Sequence, residues 1–171
     1  MKLFILAVFA LLTFIPIELE KRKFLNDKVE ILIPKDFKHM SAEVLDIKYK
    51  GKNRPTLVLT NEDATVNIAL NILPNPANED AIESYKNAVK SSFEKAFPVA
   101  EWKSDGVKVI NGRKVGYLKL ITNAADQTVF NSLFITHCEG KLLIGTFNCT
   151  EELLPEWQEA SEKIVQSLKV L

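Results

Sequence analysis

The sequence predicts an α+β domain: a mostly antiparallel sheet sandwiched between helices. Three observations carry that expectation. Between Val99 and Thr150, four long runs of strand-forming residues follow one another with tight turns between them. Asn111-Gly112, set between Val107-Lys108-Val109-Ile110 and Lys114-Val115-Gly116-Tyr117-Leu118, supplies the two positive φ angles of a type I′ turn and places Ile110 opposite Arg113. A second hairpin turns at Glu139-Gly140, joining the run from Thr128 to Cys138 with that from Lys141 to Cys149. Its pairing puts Phe134 opposite Gly145, Ser132 opposite Phe147 and Phe130 opposite Cys149 on one face. Ile135-Ile144, Leu133-Thr146 and Asn131-Asn148 pair on the other. Side chains alternate along a strand, so large apolar residues on both faces mean that both faces are covered.

Taken in order, residues 1–20 open with a short positive start, Met1-Lys2, and an apolar run from Leu3 to Ile15. A spanning helix needs roughly 20 apolar residues. The shorter run predicts a secretory signal peptide, or, left uncleaved, an N-terminal anchor. The expected destination is periplasmic or extracellular. Residues 21–27, with Lys21-Arg22-Lys23, read as a frayed tether, and residues 28–171 as one domain. Val29, Ile31 and Ile33 alternate with Lys28, Glu30 and Leu32 in a strand ended by Pro34, with Phe24-Leu25 as a hairpin partner. Ser41 is placed to cap a short helix that turns Val44 and Leu45 inward. Asp46 to Tyr49 reads as extended, and Gly51-Lys52-Asn53-Arg54-Pro55 breaks the chain.

Strands follow at Thr56 to Thr60 and Ala64 to Leu73, the second with Val66, Ile68, Leu70 and Ile72 on one side and Thr65, Asn67, Ala69 and Asn71 on the other. Pro74-Asn75-Pro76 is expected to stop it. Asn78 caps the next helix, where Ile82, Tyr85, Val89, Phe93 and Ala96 recur at helical spacing up to Pro98. The last helix starts near Pro155, with Trp157, Ala160, Ile164, Leu168 and Leu171 as its stripe.

This order of elements, with Val29-Glu30-Ile31-Leu32-Ile33-Pro34-Lys35-Asp36-Phe37 near its start, resembles the superfamily of the photosystem lumenal protein PsbP, the Ran-binding factor Mog and the bacterial lipoprotein DcrB. What matches is an opening strand, an isoleucine-proline step followed by Phe37, a short helix, and a closing hairpin and helix. The resemblance spans roughly Lys28 to Leu171. It implies a PsbP/Mog-like α/β/α sandwich and a non-enzymatic role in binding other proteins at membranes or in transport. The chain departs from the DcrB type in having no lipid-bearing cysteine after the apolar run.

The residues themselves point to few chemistries. The 171 residues are 47% apolar, enough to fill a sizeable core, and 22 basic side chains balance 22 acidic ones. No basic cluster gathers for phosphate, so nucleic acid is excluded, and a membrane enters only through the N-terminal segment. Cys138 and Cys149 sit at opposite ends of the second hairpin, roughly 25 Å apart at about 3.3 Å per residue. Bridged Cα atoms lie within about 7 Å, so both read as small buried apolar side chains, the alternative being an intermolecular bridge or a free thiol.

Glu62-Asp63 reads as turn chemistry and Glu151-Glu152 as a helix start, while Asn148-Cys149-Thr150 matches the glycosylation acceptor pattern. His137 and Cys138 point to opposite faces of a strand and cannot readily share one metal ion, so no metal, cofactor or catalytic residue is assigned. One unusual pattern remains. Asparagine is depleted from strands, yet Asn67, Asn71, Asn131 and Asn148 all lie in them. If their faces coincide, they form a polar strip suited to amide recognition; otherwise they lie at solvated edges or bond one another. The expected function is an exported, non-enzymatic module that binds another protein or an envelope component. Its rivals are a chaperone or carrier with an open apolar cleft, and a small hydrolase built on His137 or His39.

Overall fold

The computed structural model describes residues 16–49, 54–124 and 127–171. Of the segment expected as a signal peptide or anchor, residues 1–20, the first fifteen lie outside the described residues, as do residues 51–53 of the expected break, while its last two, Leu19 and Glu20, pair with Pro34 and Ile33. The chain opens with a hairpin of β1 (Leu19–Phe24) and β2 (Val29–Pro34), closed by Leu25, Asn26 and Asp27 at φ near +60°. Residues 21–23, expected as a tether, are therefore the middle of β1. Arg22 explains the difference. Its guanidinium donates to the carbonyls of Phe37 (2.8 Å), Lys35 (2.7 Å) and Pro34 (3.4 Å) and pairs with Glu20 at 2.7 Å, so this basic residue ties β1 down.

The short strand β3 (Lys38–His39) leads to α1 (Ala42–Lys48), where the Ser41 hydroxyl accepts from the Val44 amide at 3.3 Å. Helix therefore takes in Asp46 to Lys48, which the sequence reads as extended. Strands β4 (Leu57–Thr60) and β5 (Val66–Pro76) form the next hairpin. β5 outlasts its expected end: Pro74 and Asn75 fall in a register shift between Leu73 and Pro76, where missing ladder bonds are tolerated. The Asn78 side chain accepts from the Ala81 amide at 3.1 Å, opening a 3-10 turn that runs into α2 (Ile82–Ala96).

The meander is β6 (Glu101–Ile110), β7 (Arg113–Asn123), β8 (Thr128–Cys138) and β9 (Lys141–Thr150). Its turns have the backbone expected of them, with φ of 47° and 81° at Asn111-Gly112 and 51° and 73° at Glu139-Gly140. Ile110 faces Arg113, and every cross-strand pair expected of the second hairpin is present. Helix α3 (Leu154–Gln166) buries Trp157, Ala160 and Ile164. Beyond it Leu168 is buried and β10 (Lys169–Val170) pairs with β2, which leaves Leu171 outside the stripe and half exposed. Ala96, at the end of the α2 stripe, is exposed as well.

The main sheet runs β3-β4-β5-β9-β8-β7-β6 and every pair in it is antiparallel. One face packs on α3 and on the smaller sheet β1-β2-β10: Val29, Ile31 and Ile33 meet Leu59, Ile68, Leu70, Phe147 and Ile164. Trp157 stacks at a tilt between Phe37 (5.6 Å) and Phe147 (6.0 Å). The other face carries α2 over Leu118, Leu120, Leu133 and Ile135, and α1 over Val58 and Ala69. The structure is thus an α+β sandwich whose sheet is covered on both sides. Phe134, Ile135 and Phe147 are fully buried.

Candidate functional site

β9 is the central strand of the main sheet, and its two faces differ. Leu143, Gly145, Phe147 and Cys149 point into the core beneath α3 and are all buried; Ile144, Thr146 and Asn148, on the helical face, are each only half-buried. The cause is the spacing of the helices. α2 lies over β6, β7 and β8, and α1 lies over β4 and β5, so the helical side of β9 sits between them.

The four strand asparagines share this helical face. β5 pairs with β9 so that Asn67 stands opposite Asn148, and β8 places Asn131 opposite Asn148 from the other side. Three strands therefore present one row of amides. Asn71, opposite Ile144, is on the same face but about 13 Å further along β5 at about 3.3 Å per residue.

Part of the row's bonding capacity is used internally. The Asn67 amide donates to Asn148 Oδ1 at 3.0 Å, Asn131 donates to the Thr122 hydroxyl at 3.0 Å, and the Thr56 hydroxyl bonds Asn71 at 3.1 Å. The Tyr49 hydroxyl, just past α1, bonds the Asn148 side chain; burial raises the pKa of this phenol, against the lowering effect of that bond. Asn67 is buried, with 5% of its surface exposed, and its Oδ1 has no hydrogen-bond partner among the described residues. None of these asparagines lies on a sheet margin. Thr146 lies where the Glu139-Gly140 turn puts it, opposite Leu133, whereas Tyr49 and Thr122, which complete the patch, were not signalled by the sequence: Thr122 is placed by the β7-β8 register and Tyr49 by the packing of α1, and no local turn residue sets either.

The histidines are placed differently. His137 Nε2 lies 3.1 Å from Glu79 Oε1 and 3.2 Å from an Arg113 Nη. The other Glu79 oxygen accepts from the Lys114 amide at 2.8 Å. Burial pushes the Glu79 carboxyl up, but the Lys114 amide, His137 and the Arg113 charge outweigh it and hold the carboxyl below its ordinary range. The cluster ties the start of α2 to the ends of β7 and β8. Among the described residues no nucleophile stands at His137: Thr136 turns to the other face and donates to the Lys114 carbonyl at 3.0 Å, and Cys138 is buried on that other face too.

His39 is exposed at the mouth of a cavity of about 440 Å³ lined also by Asp36, Lys38, Ser41 and Glu62. Both cysteines are free and buried, with burial pushing the Cys149 thiol up to about 12. Among the described residues no cluster of histidine, cysteine or carboxylate could hold a metal ion, and no helix is long and apolar enough to cross a membrane.

With that geometry established, comparison with solved structures is decisive for the fold. The PsbP of the cyanobacterium Synechocystis sp. PCC 6803 superposes with a TM-score of 0.64 at 14% identity, over 97% of this chain and 99% of that one. The chain has the PsbP/Mog-like fold. The Saccharomyces cerevisiae Ran-binding protein Mog1p matches at TM-score 0.56 and 12% identity over 90% of this chain and 96% of its own. LpqN of Mycobacterium tuberculosis, involved in cell envelope biogenesis, matches at 0.55 and 9% over 90% and 91%. No family model matches the sequence, and no curated protein matches it either.

Proposed function

We propose that the chain is an exported, non-enzymatic binding module whose partner docks on the helical face of β9, along Thr146, Asn148 and Asn131. The observation that carries this reading is the half-buried face of a central strand, floored by amides and hydroxyls rather than by charge. Such a floor offers donors and acceptors together, which suits a neutral hydrogen-bonding partner such as the main chain of another protein. A carrier for apolar segments would need an open greasy cleft, whereas α2 sits directly on Leu118, Leu120, Leu133 and Ile135. A hydrolase would need a nucleophile beside His137, whose ring contacts are Arg113 and Glu79.

The solved neighbours lend general support, since one is a Ran-binding protein and another is involved in cell envelope biogenesis. Export rests on the apolar run at residues 3–15. The experiment is a photoreactive residue introduced at Thr146 of the full chain in its native host, with the same residue at exposed Lys21 as control. A single discrete adduct from position 146, absent from position 21, is the expected result. Equal labelling at both positions, or none at 146 above the control, overturns the reading.

A further inference from the structure

β6 forms one margin of the main sheet, and among the described residues no strand pairs with its outer side. The opposite margin, β3, is two residues long, whereas β6 has ten. Long open margins invite pairing, and proteins blunt them with bulges and lysines. The first part of β6 is blunted in this way, with a register shift between Trp102 and Ser104 around Lys103. The second part, Ser104 to Ile110, is regular. It carries Val107 and Val109, 38% and 70% exposed, and the connection from α2 adds Phe97 and Val99 at 36% and 76%. These four make up most of the large exposed apolar side chains among the described residues; the other two are Ile47 and Leu171.

The turn fixes which backbone groups of this run are free. Asn111-Gly112 closes on the pair Ile110-Arg113, which is hydrogen-bonded in such a turn. Bonded and non-bonded pairs alternate along an antiparallel ladder, so Ile110, Lys108, Gly106 and Ser104 bond to β7. Val109, Val107 and Asp105 then aim their N–H and C=O groups outward.

We propose that this margin pairs with the same margin of a second copy of the chain, antiparallel about a two-fold axis through Val107. That centre alone uses the whole regular run. Centring on Asp105 would oppose two carboxylates and run into the bulge at Lys103, and centring on Val109 would run into the turn. About Val107, each outward-facing residue meets an outward-facing residue on the same side of the sheet: Val107 meets Val107, and Asp105 meets Val109. On the opposite face Lys108 meets Gly106, over which the Tyr117 ring of β7 lies, and no like charges oppose. The pairing covers the most exposed valines of β6 and joins the two main sheets into one.

The test is cysteine cross-linking of the full-length chain, expressed in bacterial cells and oxidised with copper phenanthroline. Paired residues sharing hydrogen bonds have Cα atoms about 5.5 Å apart, within disulfide reach. Val107→Cys should therefore give a dimer band on a non-reducing gel as its main product. Val109→Cys, which faces Asp105 rather than itself, should give at least about tenfold less. The wild-type thiols, both buried, supply the background. Cross-linking of Val107→Cys that vanishes in denaturing urea supports the pairing. A monomeric Val107→Cys chain, a Val109→Cys yield equal to it, or a dimer formed equally in urea overturns it.

Discussion

Asp105 is where the docking of α2 onto the sheet can be tested most directly. From β6 it receives Lys86 Nζ on Oδ2 at 2.8 Å and Lys90 Nζ on Oδ1 at 2.7 Å, both from α2. Lys86 is 8% exposed, and its stem lies so close to the sheet that a Cβ built on Gly116 would fall 2.8 Å from the Lys86 Cβ. Asp105→Asn removes the charge and keeps the shape, leaving a buried ammonium without a counter-ion. Removing one partner of a fully buried pair costs about 3–5 kcal/mol, whereas a surface pair is worth about 0–1. The side chains of Lys86, Asp105 and Lys90 retain 10%, 26% and 30% of their exposure, so the expected cost lies between these limits, at about 2–3 kcal/mol.

In urea unfolding, with a slope of about 1–3 kcal/mol per molar, that loss moves the midpoint down by roughly 0.7–3 M. Lys86→Met/Asp105→Asn, which removes both buried charges, should recover at least half of it. The pH dependence follows from the same contacts. The hydrogen bonds from Lys86 and then Lys90 hold the Asp105 carboxyl below its ordinary range, outweighing the opposing effect of burial. A carboxyl lowered on folding stabilises fully above its unfolded value, near 3.9, and loses that contribution as pH falls towards its folded value. The gap between wild type and Asp105→Asn should therefore be constant near neutrality and close below about pH 4. An Asp105→Asn midpoint unchanged at pH 7, or a gap that persists in acid, would refute the argument.

Two further substitutions test the meander. Gly145→Ala would set a Cβ 1.9 Å from two ring atoms of Phe134, which is fully buried and cannot swing aside; overpacking of about 3 kcal/mol should lower Tm by roughly 6–12 °C, and a melting curve unchanged within about 2 °C would contradict the packing. Asn111→Asp leaves a turn residue as well suited to type I′ geometry, but replaces the amide that donates to the carbonyls of Leu168 (2.9 Å) and Gln166 (3.4 Å) with a carboxylate facing the end of α3; the loss should be about 1.5–2.5 kcal/mol by denaturant titration at pH 7, whereas a neutral result would mean that the turn alone explains Asn111.

The parts of the fold legible in the sequence are those set by local chemistry. Asn111-Gly112 and Glu139-Gly140 each impose a two-residue turn, and the turn carries the register through the whole second hairpin, down to Phe134 against Gly145, and through the first as far as the shift between Trp102 and Ser104. Asn78, Pro98 and Pro155 mark helix ends because each acts on its own turn of backbone. Long-range pairing is different. That β5 lies beside β9 depends on a contact across the chain that no residue near either strand announces, and the shared face of Asn67 and Asn148 follows from that pairing alone. Arg22 misleads for the same reason. In sequence it belongs to a basic run, while in the fold its guanidinium is held by carbonyls of residues 34, 35 and 37.

The asparagine row sits where local propensity argues against it. Strand interiors favour β-branched and aromatic side chains, and the other face of the same strands obeys that rule with Val66, Ile68, Leu143 and Phe147. On the helical face, Asn67, Asn148 and Asn131 take three adjacent positions across β5, β9 and β8, and the buried Asn67 oxygen has no partner among the described residues. Valine at these positions would suit the strands better. This departure from local rules, repeated across neighbouring strands beside the half-buried face of β9, is the feature on which the proposed docking surface rests. Asn131 and Asn148 are brought opposite each other by the Glu139-Gly140 hairpin, while Asn67 joins them only through the β5-β9 pairing.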